Sequence, residues 1–255
     1  MKPSKHARAA LDAAAAAAGI IRHHYRAGAA VTMKSDRTPV TEADIAAEHA
    51  IRAIIAERFP GHGFYGEETG RSDRDSPWLW LVDPIDGTKS FVRGYPFFST
   101  QIALMHEGEL VLGVSSAPEF GEVLWAERGA GAWQDGRRLS VSTVAAIEDA
   151  TLSTGNLATL AGGPGWAALG RLVTRVNRSR GYGDFYHYHL LARGSIDAVV
   201  ESDVNILDIA ALTVIVGEAG GTLTALDGSA VGLETRSVLA SNGTLQSALA
   251  AALEC

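Results

Sequence analysis

The chain has 255 residues, of which 47% are hydrophobic and 20% are charged, with 28 glycines and 8 prolines. This composition excludes a disordered, collagen-like or coiled-coil protein and is sufficient for a large buried core. The formal net charge is -7, from 29 acidic and 22 basic residues, and no run of five basic residues interrupts this balance. Nucleic acid is therefore not an expected partner.

Cys255 is the single cysteine, which excludes a disulfide framework and a thiolate metal site and fits a reducing cytoplasm. An alanine-rich stretch at residues 9–21 follows three basic residues, as in a signal peptide, but Asp12 interrupts it. We interpret this stretch as a helix, with secretion as the alternative. No stretch reaches the roughly 18 consecutive apolar residues of a membrane helix, so we expect a soluble, cytoplasmic protein without a membrane partner.

The first half of the chain predicts two helices followed by a run of strands. Thr41 and Asp44 form a capping-box pattern that opens the second helix, and its apolar positions, Ile45 and Phe59 included, approximate one helical stripe. A short apolar run between two prolines predicts a buried strand that ends at Asp83. The predicted helices cover residues 6–25 and 41–59, and the predicted strands cover residues 78–82, 99–106, 110–115, 123–126 and 138–141.

The second half of the chain alternates between the helical and the strand period. Such mixing indicates stacked layers of helices and sheets in one compact unit. The predicted strands lie near residue 151, at residues 198–201, and near residues 223 and 238, and the predicted helices cover residues 166–176, 185–193, 208–219 and the C-terminal end.

Residues 83–88 read DPIDGT and carry the most informative chemistry. Asp83 and Asp86 stand where a buried strand emerges, which is where layered α/β proteins bind ligands. Crowded carboxylates need a proton or a cation, and oxygen ligands favour Mg²⁺ over zinc. Taken singly, each acidic residue has an ordinary explanation: turn chemistry for these two, a helix cap for Asp44 and a solvated loop for Glu67 and Glu68. Their joint occurrence favours a site.

Five separated segments then match a known pattern in the same order. They are residues 38–44 (TPVTEAD), 66–68 (GEE), 83–88 (DPIDGT), 208–211 (DIAA) and 218–221 (EAGG). Together they resemble the inositol monophosphatase family of Mg²⁺-dependent, lithium-sensitive phosphatases of small phosphate monoesters. The resemblance extends from about residue 7 to residue 249. It implies an α/β (α+β) fold, a layered αβαβα sandwich of the inositol monophosphatase and fructose-1,6-bisphosphatase type. It also implies a single domain of two fused halves, about residues 1–145 and 146–255, and a homodimer.

The resemblance implies an oxygen-only site for two or three Mg²⁺ ions. The side-chain ligands would be Glu67, Asp83, Asp86 and Asp208, with the carbonyl oxygen of Ile85 as a further ligand. Lys34 corresponds to a basic residue of the family's first loop that helps to organise a metal. Leu207 departs from the family, which usually has tryptophan there, and this departure weakens one wall of the site rather than a ligand.

Catalytic and substrate-binding residues also follow from the resemblance. Asp44 and Thr88 would polarise a metal-bound water, with Glu67 as the third catalytic residue. The backbone amides of Gly87 and Thr88 would hold the phosphate, because amides at the start of a helix suit an anion. Asp86 and Asp208 would contact the substrate as well as the metal.

Three segments look like the histidinol-phosphate phosphatase branch of the family: residues 84–94 (PIDGTKSFVRG), 180–186 (RGYGDFY) and 190–194 (LLARG). Asp184 and Glu201 would add negative charge beside a substrate that bears an amine and an imidazole. Asp184 also fits a helix N-cap before Phe185. The predicted enzyme therefore hydrolyses histidinol phosphate to histidinol in histidine synthesis, by direct attack of a metal-activated water.

Two alternatives stay open. The first keeps the catalysis but changes the substrate to inositol monophosphate, a sugar bisphosphate or a nucleotide 3'-phosphate. The second is a non-catalytic sensor of a phosphate ligand, which is disfavoured because every metal and water-activating position is present. The histidine pairs at residues 23–24 and 187–189 are interpreted as ordinary surface or core residues, because their spacing does not place a pair on one helical face.

Overall fold

The computed structural model describes residues 2–28, 31–33, 39–72 and 75–254. The chain divides into two compact units: Met1–Arg137 with Leu207–Ile215, and Arg138–Ile206 with Val216–Cys255. The first unit thus ends a few residues before the predicted division at residue 145 and includes a segment of a later helix. Lys34 lies outside the described residues, so its predicted role stays a prediction. None of the helices in the described ranges combines the length and apolarity needed to cross a membrane.

The first unit begins with two long helices and continues with strands, as the sequence predicts. In chain order, its elements are α1 (Lys5–Ala27), β1 (Val31–Met33), β2 (Pro39–Thr41), α2 (Glu42–Arg58), β3 (Gly63–Gly66), β4 (Gly70–Ser72), β5 (Trp78–Asp86), α3 (Thr88–Val92), β6 (Ser99–His106), β7 (Glu109–Ala117), β8 (Glu122–Glu127), β9 (Gly131–Gln134) and β10 (Arg137–Arg138). Among the described residues, β1 and β2 form a two-stranded sheet, and eight strands form a second sheet in the order β10-β9-β8-β7-β6-β5-β3-β4. The pairing of β3 with β5 is parallel, and the pairings from β5 to β9 are antiparallel.

Helices α1 and α2 cover one face of the large sheet. Six small or β-branched positions of α1 are buried without exposed surface, and five of them are alanines, which let the helix approach the sheet closely. Ile51 and Ile55 of α2 are buried in the same core as Trp80 and Val82 of β5. Ile45 is 43% exposed, so its assignment to the buried stripe of the second helix was wrong. The apolar part of the buried face of α2 instead consists of Ala43, Ala47, Ile51 and Ile55.

The opposite face of the sheet carries a later helix, α7 (Ile206–Glu218), of which Leu207–Ile215 belongs to the first unit. Leu112 and Val114 of β7 pack in the core under α1, so Gly113 between them points to the other face. A Cβ on Gly113 would lie 2.2 Å from the carbonyl oxygen of Ala211. Glycine at this position therefore permits direct contact between the backbones of β7 and α7.

Strand β5 extends further than predicted. The sequence predicts an end at Asp83 because Pro84 cannot donate a ladder hydrogen bond. The strand instead continues to Asp86, with a register shift between Asp83, which pairs with Gln101, and Asp86, which pairs with Ser99. The three-residue step on β5 against two residues on β6 is a β-bulge, and it accommodates the proline. Because Gln101 and Ser99 are two residues apart and share a face, the bulge turns both aspartates to that same face.

The second unit is a mixed five-stranded sheet with helices. Its elements are β11 (Thr151–Gly155), α4 (Leu157–Gly162), α5 (Trp166–Val173), β12 (Arg178–Arg180), α6 (Tyr186–Ala192), β13 (Ala198–Ser202), β14 (Thr222–Ala225), β15 (Ser237–Ser241) and α8 (Gln246–Leu253), with the strand order β12-β11-β13-β15-β14. Leu152 and Val200 share a core with α5 and α8. Their neighbours Ser153 and Glu201 face the other side, toward His187 on α6.

Candidate active site

Glu67 lies beside Asp83 because the parallel pairing of β3 and β5 brings these two residues level with each other. In the parallel pair β3 and β5, Gly66 is opposite Val82. The backbone amide of Glu67 then donates to the carbonyl oxygen of Val82 at 3.2 Å. The next residue on each strand therefore stands at the same edge of the sheet, which is where parallel sheets bind ligands.

Asp208 joins this edge from α7. It lies in the first turn of that helix. One carboxylate oxygen from each of Asp83, Asp86 and Asp208 lies within 4.8 Å of the other two. The bulge in β5 and the close contact of Gly113 with α7 bring the three side chains together. The structure thus assembles three of the four predicted carboxylate ligands into one cluster, with Glu67 next to it.

The cluster is electrostatically costly without a cation. Asp83 is almost completely buried. Burial raises the pKa of its carboxyl well above the ordinary value, and the charges of Glu67, Asp86 and Asp208 and a hydrogen bond with the Glu67 side chain raise it further. Unmatched carboxylates at this spacing favour either a bound proton or a bound cation. Their oxygen atoms are the donors that hard divalent cations prefer.

A buried polar chain supports Asp86 from the neighbouring strands. The Ser99 hydroxyl donates to Oδ2 of Asp86 at 3.5 Å, which is a long hydrogen bond. The side-chain amide of Gln101 donates to the hydroxyls of Ser99 at 2.7 Å and Ser115 at 3.0 Å. Ser99, Gln101 and Ser115 are all buried without exposed surface. These contacts restrict the orientation of the carboxylate.

Asp44 and Thr88 lie close together, as predicted. The Thr88 hydroxyl is 3.3 Å from Oδ1 of Asp44 and 2.9 Å from the carbonyl oxygen of Ile85. The other oxygen of Asp44 accepts the amide of Thr41 at 2.8 Å and its hydroxyl at 2.6 Å. The predicted capping box is confirmed. Asp44 is thus both a helix cap and a neighbour of Thr88, so the two interpretations do not exclude each other.

Burial also raises the pKa of Asp44. Its carboxyl is 1% exposed. Desolvation is the largest cause of the upward pKa shift, the hydrogen bonds from Thr41 oppose it, and the charge of Glu67 adds to it. The charge of Glu67 raises the pKa of both Asp44 and Asp83, so Glu67 lies near both carboxyls.

Gly87 has a backbone conformation that the turn requires. Its φ is +88°, in the left-handed region, and a Cβ would lie 2.5 Å from the carbonyl oxygen of Phe97. A side chain at this position would meet rigid backbone. Helix α3 begins directly afterwards at Thr88. The predicted phosphate-binding amides therefore lie at a helix start, where backbone N–H groups lack acceptors within the helix.

Two predicted substrate-binding residues lie in the second unit. Asp184 has a positive φ of 44° and precedes Phe185, which is the N-cap of α6 without a side-chain cap bond. The N-cap interpretation of Asp184 was therefore wrong, because α6 begins one residue later than that interpretation needs. Glu201 is 3% exposed. Its Oε2 accepts the Tyr188 hydroxyl at 2.7 Å and lies 3.0 Å from Nε2 of His187.

The buried ring of His187 contacts side chains of two strands. Because a carboxylate only accepts, Nε2 of His187 donates to Glu201, and its Nδ1 lies 3.2 Å from the Ser153 hydroxyl oxygen. The amide of Tyr182 donates to the same hydroxyl. Across the described part of the chain, the group suited to a metal contains Asp83, Asp86 and Asp208 and no histidine.

Glu48 was missed in the sequence. It is fully buried on α2, one turn after Asp44, and accepts the backbone amides of Glu68 and Thr69. The available signal was a glutamate on the buried face of an amphipathic helix, four residues from a predicted catalytic aspartate. Glutamate is a common helix residue, so this signal has little weight in the sequence alone.

The fold and the cluster together define a class: an α/β protein with a carboxylate-only site of the kind that divalent-ion-dependent phosphatases use. The sequence profile of the Inositol monophosphatase family matches residues 2–255. The chain belongs to this family.

Named relatives and a solved structure support this assignment. The chain is 45% identical over 226 residues to the histidinol-phosphatase of Mycobacterium tuberculosis, with 84% of each chain covered. It is 34% identical over 228 residues to the inositol-1-monophosphatase of Mesorhizobium japonicum, with 88% of this chain and 86% of the relative covered. The crystal structure of extragenic suppressor protein suhB from Bartonella henselae matches with a TM-score of 0.90 at 31% identity, covering 98% of this chain and 99% of that chain.

The resemblance in the sequence motifs is therefore confirmed, and the protein is a phosphatase. The predicted fold class is also confirmed: a mixed α/β chain of the inositol monophosphatase type, with two larger sheets flanked by helices. The family is metal-dependent, and the three-carboxylate group fits a metal ion. The roles of the individual site residues remain predictions.

Proposed function

We propose that the protein is a Mg²⁺-dependent histidinol-phosphate phosphatase of histidine synthesis. The observation that carries this choice of substrate is the 45% identity to a histidinol-phosphatase, against 34% to an inositol-1-monophosphatase over a similar length. Histidinol phosphate carries an amine and an imidazole, and the carboxylates of Asp184 and Glu201 would supply negative charge for their recognition. A neutral polyol gains nothing from such charge.

The resident cofactor of this proposal is Mg²⁺, with two or three ions. The donor set supports it, because carboxylate oxygens of Asp83, Asp86 and Asp208 lie within 4.8 Å of one another. Glu67 and the carbonyl oxygen of Ile85 would complete the ligand set. Oxygen-only donors match Mg²⁺ better than zinc. When bound, the ions would supply a lowered pKa for the attacking water and neutralise charge on the phosphate.

The chain's own residues would orient the water and move its proton. With its hydrogen directed to Oδ1 of Asp44, the Thr88 hydroxyl would accept a hydrogen bond from water on Oγ1. As the water gives its proton to Oγ1, the hydroxyl's own proton would pass to Oδ1 of Asp44. Asp44 is fixed by the two bonds from Thr41, so it holds Thr88 in one orientation. Glu67 would be the third catalytic residue, beside Asp44 and Thr88. No side chain would serve as nucleophile: the oxygen of water would form the new bond to phosphorus as the P–O bond to the alcohol breaks, and the alcohol would leave.

Substrate binding would use both backbone and side-chain groups. The amides of Gly87 and Thr88 would hold phosphate oxygens, as helix starts do for anions. Asp86 and Asp208 would face the phosphate through the ions. Asp184 and Glu201 would accept hydrogen bonds from the cationic part of the substrate. Tyr188 and His187 donate to Oε2 of Glu201, and these two contacts hold its carboxylate in place.

The proposal includes a cytoplasmic homodimer. Three large apolar side chains on helices α4 and α5 of the second unit are exposed: Leu157 on α4, and Trp166 and Val173 on α5. Exposed apolar residues grouped on neighbouring helices are typical of association surfaces. A second copy of the chain is the occupant that we propose.

A phosphate-release panel tests the substrate. The purified protein is assayed with histidinol phosphate, inositol 1-phosphate, fructose 1,6-bisphosphate and a nucleotide 3'-phosphate, with Mg²⁺ and with EDTA. We expect kcat/KM for histidinol phosphate to exceed that for inositol 1-phosphate about ten- to hundredfold, because a desolvated charge-assisted hydrogen bond contributes about 1.5–3 kcal/mol. Faster phosphate release from inositol 1-phosphate would make that compound the preferred substrate instead. No phosphate release from any of the four compounds would favour the non-catalytic phosphate sensor.

The Asp184→Asn variant tests the specificity residue. We expect the preference for histidinol phosphate over inositol 1-phosphate to fall about tenfold, while the Mg²⁺ dependence stays unchanged. Asp203→Asn is the matched control, because Asp203 is an exposed aspartate of the same unit that also has a positive φ. If the ratio of kcat/KM for histidinol phosphate to that for inositol 1-phosphate is unchanged in Asp184→Asn, Asp184 does not determine the substrate preference.

A further inference from the structure

Glu48 is a buried carboxylate that none of the proposed steps uses. Its two oxygens receive hydrogen bonds from successive backbone amides in the turn between β3 and β4. The amide of Glu68 donates to Oε2 and the amide of Thr69 donates to Oε1, each at 2.8 Å. Burying a carboxylate is costly, and bonds of this charge-assisted kind compensate it. The carboxylate and the turn are therefore fixed to each other.

Gly66 makes this close approach possible. A Cβ built on Gly66 would lie 2.5 Å from both Cδ and Oε1 of Glu48. The carboxylate thus occupies the space that a side chain at residue 66 would fill. An alanine there would displace the end of the Glu48 side chain, which moves more easily than backbone does.

The same face of α2 also holds the hairpin through Arg52. Its Nη1 donates to the Thr69 hydroxyl at 3.0 Å, and its Nη2 donates to the Ser72 hydroxyl at 3.1 Å. Asp44, Glu48 and Arg52 are spaced by four residues and lie along one helical face. That face carries the proposed water-orienting aspartate at one end. Further along, Glu48 and Arg52 form hydrogen bonds to the β3–β4 hairpin.

We propose that Glu48 is a positioning residue that fixes the backbone of residues 66–69, so that the carboxylate of Glu67 stays at Asp83. This inference rests on the proposed metal site. Glu67 directly precedes Glu68, whose amide donates to Glu48, and the Glu67 side chain forms a hydrogen bond with that of Asp83. Groups that orient metal ligands from outside the coordination sphere contribute about ten- to hundredfold in metal affinity.

Two variants remove the contact by different routes. Glu48→Gln keeps the shape but turns an amide N–H toward a backbone N–H, so one bond is lost. Gly66→Ala expels the carboxylate without altering Glu48 itself. Ser4→Ala is the control, because Ser4 caps α1 in the same unit and does not contact the turn.

Two measurements without substrate report on the contact. Mn²⁺ binding, followed by electron paramagnetic resonance, should weaken about ten- to hundredfold in Glu48→Gln and Gly66→Ala. Hydrogen exchange of the Glu68 and Thr69 amides in the metal-free protein should accelerate in both variants. The double variant should bind Mn²⁺ no more weakly than the weaker single one, because both changes remove one contact. Ser4→Ala should lower the melting temperature and leave the Mn²⁺ affinity unchanged.

Wild-type Mn²⁺ affinity in folded Gly66→Ala would overturn the inference, and so would equal weakening by Ser4→Ala. Gly66→Ala carries this test alone if Glu48→Gln does not fold. A wild-type protein that binds no Mn²⁺ and releases no phosphate would overturn the proposed function and the inference with it. Normal Mg²⁺-dependent phosphate release by the wild type together with unaffected variants would overturn the inference alone.

Discussion

Asp86 and Thr88 stand two residues apart and have different proposed tasks. Asp86 contributes an oxygen to the carboxylate cluster, whereas Thr88 contacts Asp44 and the carbonyl oxygen of Ile85. A carboxylate binds a divalent cation strongly, while a hydroxyl orients water without adding charge. The two side chains should therefore affect different kinetic quantities.

We expect Asp86→Asn to remove most activity by weakening metal binding. We expect Thr88→Ala to lower kcat about a hundredfold or more while the metal affinity stays near that of the wild type. Thr88→Ser is the matched control, because it keeps the hydroxyl and should keep most activity. Steady-state kinetics over a range of Mg²⁺ concentrations separates the effects. Equal losses of metal affinity in Asp86→Asn and Thr88→Ala would contradict these roles.

The sequence predicted residues whose chemistry is visible in their own motif. Asp83 and Asp86 lie in one short segment at the end of a buried strand, and Asp208 lies at the start of a predicted helix. Glu48 was missed because its importance depends on a contact with a turn twenty residues later. Residue type and local spacing do not encode such a contact. Asp184 was placed one residue too close to α6, which reflects the ordinary uncertainty of helix boundaries.

Long helices and strands with a clear periodicity of apolar residues were predicted well, whereas short strands were not. Strand β6 has the predicted bounds, and the two long helices differ from the prediction by one or two residues at each end. Strands β3 and β4 were missed, although β3 positions Glu67, because four and three residues show no clear alternation. The bulge in β5 was missed because a proline in a strand pattern ordinarily signals its end.

The contact of β7 with α7 predicts a long-range effect of Gly113→Ala. The new Cβ would meet the backbone of Ala211 at 2.2 Å, which cannot rotate away. We expect the free energy of unfolding to fall by about 1–3 kcal/mol and Mn²⁺ binding to weaken, since α7 carries Asp208. Gly19→Ala is the control, because Gly19 lies in α1 with nothing within 4 Å of its Cβ position. It should stabilise the protein by about 1 kcal/mol. Unchanged Mn²⁺ affinity in Gly113→Ala would contradict the proposed coupling.

A histidine-aromatic cluster beside α1 predicts a pH dependence of stability. His62 stacks on Trp78, and its Nδ1 accepts the indole N–H of Trp80 at 3.1 Å. Burial lowers the pKa of His62 and of His6, and the nearby charge of Lys5 lowers both further. The folded state therefore binds protons less tightly than the unfolded chain. This contribution to stability is complete above about pH 6.5 and is lost as the pH falls below it.

Urea denaturation at pH 7.5 and pH 5.5 measures this contribution. His62→Gln should lose less stability than the wild type between the two pH values, whereas the exposed control His23→Gln should behave like the wild type. The carboxylates Asp44 and Asp83 have raised pKa values and produce a slope of opposite sign, but they are present in all three proteins. An identical pH response of His62→Gln and wild type would refute the assignment.

At the scale of the whole molecule, motif order in the sequence was sufficient for the family and the fold class, whereas assembly was not derivable from it. The family assignment used five segments spread over most of the chain, and the profile match extends over residues 2–255. Association depends on which apolar side chains stay exposed after folding. Leu157, Trp166 and Val173 match buried core positions in residue type, and only the structure shows them to be exposed.

The exposed face of α4 and α5 predicts how the proposed dimer can be separated. Light scattering of the wild type should give about twice the chain mass of 26.8 kDa. Trp166→Glu places a charge on an apolar surface, and burying an unpaired charge in an interface costs several kcal/mol, so this variant should be monomeric at micromolar concentration. Tyr95→Glu is the control, because Tyr95 is 56% exposed in the first unit, away from α4 and α5 in sequence. It should remain dimeric. A wild-type particle of about 27 kDa would refute the homodimer, and a dimeric Trp166→Glu would move the interface to another surface.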